Sequence, residues 1–463
     1  MTDYSLTGIT PALLAKYDRP GPRYTSYPTA PHFHDGYDEH VYRERLADAA
    51  TRSDDPLSMY VHIPFCEARC TYCGCNVVIS PHRGPEEAYL DALERELDLL
   101  AEALASRRGL NQLHWGGGTP TYLTPAQCER LLRSITDRFP LVDGAEVALE
   151  IDPCVTTREH LETLRAAGFN RLSMGVQDTN PEVQDAVCRD QPLELTRSHV
   201  EHARELGFRS VNIDLIYGLP AQTEVSFRDT VRTVVGELAP DRVACFSYAH
   251  VPWIKPHQKQ LDQAQMATGW DKFRLFAAAV EEFCGSGYRF IGFDHFARPD
   301  DELARALDEG RLHRNFMGYT VMPATDQVGV GTTAIGDLGG SYAANEKNLA
   351  RYQRAVADGR LPVERGLVRT SEDEQRGEVI RQIICTLKLE FDEVERTLGV
   401  DPRTEYADAL RELEPMVADG LVELGDAGLR VTPRGRFFLR NICMPFDAYL
   451  KQPSEGPLYS RTV

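Results

Sequence analysis

From about residue 57 the chain alternates six apolar strands with the amphipathic helices that lie between them. No other feature constrains its fold as much. The strand candidates are 57–65 (LSMYVHIPF), 112–116, 146–152, 171–176, 210–218 and 242–250. The first helix carries Tyr89, Leu90, Leu93, Leu97 and Leu100 at three-to-four spacing, and later helices fall near 125–138, 157–167, 194–206 and 224–237. Strands separated by helix-length crossovers pair in parallel, because antiparallel neighbours need only a short turn. Six such units without a Rossmann-type start predict an α/β barrel, full or partial, and 288–296 (YRFIGFDHF) offers a seventh strand at its edge.

Barrel enzymes carry their chemistry at the C-terminal ends of the strands. The polar residues of this chain gather there: the cysteine run after the first strand, GGGTP (116–120) after the second, Glu150 and Asp152 late in the third, Gln177 after the fourth and Asp214 in the fifth. Core packing alone does not place polar groups at the ends of five separate strands. Four cysteines stand within ten residues in HIPFCEARCTYCGC: Cys66, Cys70, Cys73 and Cys75. The first three, at C-x3-C-x2-C, suit a 4Fe–4S cluster held by three thiolates, which leaves one iron open for chemistry. Zinc with Cys75 as fourth ligand is the alternative. It would ordinarily use paired C-x2-C units or a distant H-x3-H, and neither is present. Glycines beside such a loop let a ligand approach the backbone, while Glu150 and Asp214 could equally be loop caps.

At 463 residues and a formal charge of −19, the chain can bury a large core plus a smaller domain and disfavours nucleic acid as a partner. No apolar run reaches membrane-spanning length, and the first twenty residues do not read as a secretory signal. The other seven cysteines (Cys128, Cys154, Cys188, Cys245, Cys284, Cys385, Cys443) are scattered singly, and most read as small core residues in a reducing, cytoplasmic setting. Residues 1–55 form an arm of little periodicity laid over something else, 56–300 the barrel, 301–364 its extension and connection, and 365–463 a C-terminal domain. In that domain charged helices (371–390, 403–419) precede a Gly-turn hairpin and another helix, a winged-helix-like order that reads as a cover for the barrel. GVGTTAIG (329–336) mimics a dinucleotide fingerprint but lacks a βαβ frame. His199, His202 and Glu205 share a helix face that reads as solvated rather than metal-binding. Asp294 and His295 could transfer protons, but a structural role is favoured.

CEARCTYC resembles the signature of the radical S-adenosylmethionine (SAM) superfamily. YVHIPFC, LHWGGGTPTYL, NRLSMGVQD, NIDLIYGLP, DHFARPDDELA, RNICM and the N-terminal PRYTSYPTA are similar to the oxygen-independent coproporphyrinogen III oxidase (dehydrogenase) family within it. The resemblance runs from about residue 19 to the end and implies a partial (βα)6 radical SAM barrel with a mainly helical C-terminal domain. It implies Cys66, Cys70 and Cys73 as cluster ligands, with SAM on the fourth iron, and Cys75 as a catalytic rather than iron-binding thiol. It further implies SAM contacts at Tyr60, Tyr72, Gly117, Gly118, Thr119, Glu150, Gln177, Arg189, Asp214, Ala249 and Ile335, divided between two SAM molecules. Tyr72 departs mildly from the family, which often has Phe there.

The implied activity is the oxidative decarboxylation of two propionates of coproporphyrinogen III to vinyl groups, in a monomer served by an unidentified electron donor and acceptor. A substrate with four carboxylates calls for cations, and Arg19 and Arg23 in the RPGPR segment are the candidates. Related haem chaperones resemble the barrel but usually lack the GC pair after the third ligand and the PRYTSYPTA arm, both present here.

Overall fold

The computed structural model describes residues 4–52, 54–322, 326–451 and 458–462. Six strands, β1 (Leu57–Ile63), β2 (Leu110–Gly117), β3 (Leu141–Ile151), β4 (Arg171–Gln177), β5 (Ser210–Tyr217) and β6 (Arg242–Ser247), lie side by side and pair in parallel. Helices on the outside bury the alternate apolar side chains. In β4, Leu172, Met174 and Val176 are buried while Ser173, Gly175 and Gln177 face the half-open lumen. Trp115 of β2 has no exposed surface and meets Phe169 edge-on at 4.9 Å. The helix starts are written locally. Thr124, Thr157 and Thr223 cap helices Pro125–Arg138, Arg158–Ala167 and Glu224–Thr233, each through a reciprocal bond with the residue three positions on.

The sheet goes further than six strands. The 288–296 segment forms two antiparallel strands, β7 (Arg289–Gly292) and β8 (His295–Ala297), with β8 next to β6. On the other edge β9 (Asp326–Val330) pairs in parallel with β1, followed by antiparallel β10 (Ile335–Leu338), β11 (Ser341–Asn345) and β12 (Val363–Val368). The twelve strands run β12-β11-β10-β9-β1-β2-β3-β4-β5-β6-β8-β7, an open barrel. Sequence periodicity misses β9 because all five of its residues are buried, which removes the alternation that marks a strand. The boundary expected at 364 falls inside β12.

The dinucleotide-like GVGTTAIG is the turn from β9 to β10. Gly331 donates its N–H to Glu96 at 2.8 Å and leaves its α-carbon against the His62 carbonyl, where an added Cβ would sit 2.7 Å away. Glycine is needed there for packing, not for a phosphate. The arm 1–55 contains helices Pro11–Tyr17 and Glu39–Ala50, which its composition concealed. The first is tied to the C-terminal domain, where Asp419 accepts 2.6 Å hydrogen bonds from Lys16 and Tyr17. In that domain the long helix ends at Thr386, and Lys388–Glu390 becomes a strand beside Gly428–Val431, which pairs on its other side with Val422–Gly425. The 403–419 segment breaks into three short helices, Pro402–Glu405, Ala407–Glu412 and Glu414–Ala418.

His199 and His202 lie in a packed interface, not on a solvated face. His199 spans the Leu195 and Thr156 carbonyls at 2.8 Å each, and both histidines are more than nine-tenths buried. Asp294 and His295 form a 2.7 Å pair at the β8 edge.

Candidate active site

The C-terminal ends of β1 to β6 open into one cavity of about 660 Å³. The cysteine loop forms one wall: Cys66, Cys70 and Cys73 are half-buried, and Cys75 is exposed to the cavity. Burial pushes the Cys66 thiol up to about 11, partly offset by its 3.6 Å contact with the Thr119 hydroxyl. The Cys73 thiol is drawn down to about 6, chiefly by a hydrogen bond from the Cys75 thiol, while Cys75 is raised in consequence. Two neighbouring thiols thus have opposite tendencies to ionise. Among the described residues no three His, Cys, Asp or Glu side chains converge tightly enough for a single ion. Three thiols on one loop facing the cavity are the donor set of a 4Fe–4S cluster with one open iron, so this loop fits the cluster.

Gly117, Gly118 and Thr119 face the cysteine loop. The Gly118 N–H donates to the Ile63 carbonyl at 2.8 Å, and an added Cβ would meet the Pro64 and Phe65 carbonyls at 2.7 Å. Gly117 has φ +117°, and its N–H donates to Glu150 at 3.3 Å. Burial opposes ionisation of Glu150, but the hydrogen bond and charge of His114, 3.4 Å away, hold the carboxyl below its ordinary range. Asp214 behaves in the opposite way. Burial and the charge of Glu150 push it up to about 7, against hydrogen bonds from Asn212 and Ser173. Two carboxyl groups with separated acidities therefore share one wall. Gln177 sits at the strand end with φ +69°. Arg189 donates to Gly175 at 2.7 Å and to Asp152 at 3.2 Å, and its guanidinium lies 3.6 Å from the Cys70 sulfur. A cation against a cluster thiolate stabilises its charged form.

The loop after β6 contributes a clamp that the sequence reading missed. Gln258 and Lys255 donate to the Tyr72 and Cys75 carbonyls at 2.9 Å, and His257 Nε2 lies 2.8 Å from the Cys73 carbonyl. Three side chains from one segment hold the backbone that presents the thiols. Only their position after a barrel strand could have signalled it.

Comparison with known proteins agrees with this geometry. Residues 60–234 match the model of the radical SAM superfamily, and 370–438 match the HemN C-terminal domain. The oxygen-independent coproporphyrinogen III oxidase of Escherichia coli K12 is 45% identical over 452 residues, 98% of each chain. That of Synechocystis is 42% identical over the full length of both chains. This chain belongs to the oxygen-independent coproporphyrinogen III oxidase family. A solved structure described as coproporphyrinogen III oxidase (HemN) from Escherichia coli, a radical SAM enzyme, superposes with a TM-score of 0.88 over 92% of this chain and 97% of that one. Like other members of this oxidase family, the chain is a radical SAM oxidoreductase whose cofactors are a 4Fe–4S cluster and SAM.

Of the residues expected at the site, Tyr72, Ala249 and Arg23 also line the cavity. Tyr60 lies deeper in the lumen, stacked on His114 at 6.0 Å, and Ile335 belongs to β10 outside the lining. Arg19 is exposed and does not reach the cavity. Among the scattered cysteines, Cys128, Cys245, Cys385 and Cys443 are buried as expected, but Cys154 and Cys188 are exposed on the cavity wall. All eleven are free thiols.

Proposed function

We propose that this chain converts coproporphyrinogen III to protoporphyrinogen IX by decarboxylating two propionate side chains to vinyl groups. The observation that carries this reading is one cavity that collects the C-x3-C-x2-C thiols, the Gly-Gly-Thr turn, Glu150, Gln177, Arg189 and Asp214, with Arg23 reaching in from the arm. When bound, the cluster and SAM would supply radical hydrogen-abstraction chemistry at a propionate, whose conversion to vinyl releases carbon dioxide and passes one electron to an external acceptor.

The protein's work is positioning. Cys66, Cys70 and Cys73 hold iron. The Gly117–Gly118–Thr119 backbone receives the amino-acid end of SAM, and Glu150, Gln177, Arg189 and Asp214 meet its mixture of charges and hydroxyls. Tyr72 and Ala249 supply apolar contact. A second SAM molecule beside the first rests on the resemblance. Cys75, an exposed thiol directed at this space, serves catalysis rather than iron. For Tyr60 and Ile335 the support is the resemblance alone. Arg23 supplies a cation for the substrate. A cytoplasmic location and a monomeric state complete this reading, with an external donor and acceptor exchanging the electrons.

An anaerobic assay with coproporphyrinogen III, SAM and a reductant tests the reading. Protoporphyrinogen and 5′-deoxyadenosine should form together. SAM cleavage without a tetrapyrrole product would overturn it.

A further inference from the structure

A side pocket of about 70 Å³ adjoins the main cavity, and Arg23 lines both. Its wall carries four guanidinium groups, from Arg23, Arg314, Arg436 and Arg440, against one carboxylate, Asp294. That carboxylate lies 2.7 Å from His295 and also feels the charges of Arg314 and Arg23, so one anion is shared among several cations. Arg436 and Arg440 donate to backbone carbonyls, Arg436 to Ile291 at 3.0 Å and Arg440 to Pro22 at 2.9 Å. Arg23 donates to the Ser247 carbonyl at 2.7 Å. Carbonyl oxygens satisfy N–H groups but do not neutralise a full charge.

Arg314 goes further. Its Nε and one terminal nitrogen are buried without a hydrogen-bond partner among the described residues, while its plane lies over Phe293 and Tyr319 at 4.9 and 4.8 Å. The excess charge extends behind the wall. Burial and the charges of Arg23 and Arg440 pull the Lys272 ammonium down to about 8, and its hydrogen bond is to another carbonyl, that of Tyr248, at 2.8 Å. Several partly buried cations sharing one carboxylate are costly unless a further anion completes them, and the planar fork of Arg matches a carboxylate.

We propose that this side pocket is a carboxylate subsite in which Arg23 and Arg314 hold a propionate of the substrate that is not reacting, while the tetrapyrrole ring occupies the main cavity. The volume admits a side chain and excludes a ring. The pocket meets the main cavity at Arg23 and Ser247, so a propionate fixed here orients the rest of the molecule. This inference rests on the coproporphyrinogen reading and adds to it the residues that recognise the substrate.

The test uses the full chain with reconstituted cluster and SAM, titrated anaerobically with coproporphyrin III, a stable fluorescent tetracarboxylate, and with a porphyrin bearing only two propionates. A charge-assisted pair lost from a buried site costs about tenfold or more in affinity. Arg314→Met should therefore weaken tetracarboxylate binding about tenfold and narrow the preference over the dicarboxylate, and Arg314→Lys should restore part of it. Asp294→Asn removes the competing anion and should tighten tetracarboxylate binding. An Arg314→Met protein with normal iron content and undiminished preference would overturn the subsite, as would an Asp294→Asn protein that binds no better. If those results came with normal wild-type turnover of coproporphyrinogen III, the functional reading would stand and the subsite alone would fall. A wild-type enzyme without that turnover would overturn both.

Discussion

Glu96 offers a quantitative test of how the β9 to β10 turn is anchored. It is 1% exposed on helix Glu86–Leu104 and accepts three hydrogen bonds, from the Gly331 N–H at 2.8 Å, the Tyr352 hydroxyl at 2.5 Å and the Asn345 amide at 2.6 Å. Burial raises its carboxyl from 4.5 to about 7, only partly offset by those three donors. Because the folded value lies above the unfolded one, the folded chain holds the proton more tightly. The associated stability is complete below pH 4.5 and is lost as the pH rises to about 7. At 1.36 kcal/mol per pH unit the loss amounts to about 3 kcal/mol.

Glu96→Gln keeps the shape and cannot ionise, but its NH2 must face one of the donors, at a fixed cost of about 1–3 kcal/mol. The variant should therefore be less stable than wild type at pH 5 and recover about 3 kcal/mol relative to it by pH 8. With an unfolding entropy of about 2 cal/mol/K per residue, that change corresponds to roughly 3–5 °C in apparent Tm, depending on whether the whole chain or the barrel unfolds as a unit. Parallel melting-temperature profiles for the two proteins from pH 4.5 to 8, recorded by intrinsic fluorescence, would refute the reasoning. They would mean that Glu96 is ionised throughout.

Three further outcomes are expected. Asp326 pairs with the fully buried Arg107 and with Arg52 at 2.6 Å, so Asp326→Ala strands a charge and should cost about 3–5 kcal/mol in urea unfolding, with an Asp326→Leu/Arg107→Met double variant losing less. Gly118→Ala pushes a methyl group to 2.7 Å from two carbonyls, and the displaced turn should weaken SAM binding more than tenfold in equilibrium dialysis while costing about 1–3 kcal/mol of stability. Asp214 titrates near 7 because burial and Glu150 oppose its charge, so affinity for cationic SAM should rise as pH increases through 7, whereas Asp214→Asn should give a flat profile.

The sequence by itself determined the six parallel units, because apolar periodicity and local caps such as Thr124 and Thr157 are short-range signals. It also determined the cluster loop, whose three thiols are close in the chain and so close in space. Nine of the eleven residues that the resemblance implied as SAM contacts line the same cavity, most of them at or just beyond the C-terminal ends of the strands that periodicity placed. The tertiary structure decided the rest. β9 joins β1 across more than two hundred and fifty residues, and only burial on both faces makes it a strand. Lys388–Glu390 reads as helix from its charges but completes a small sheet with Gly428–Val431. Arg23 of the arm and Arg314, on the strand His313–Asn315, meet at one pocket although nearly three hundred residues separate them. Periodicity records what a residue does to its own segment. Which distant cations converge on a cavity depends on how the segments pack, and no local pattern carries that information.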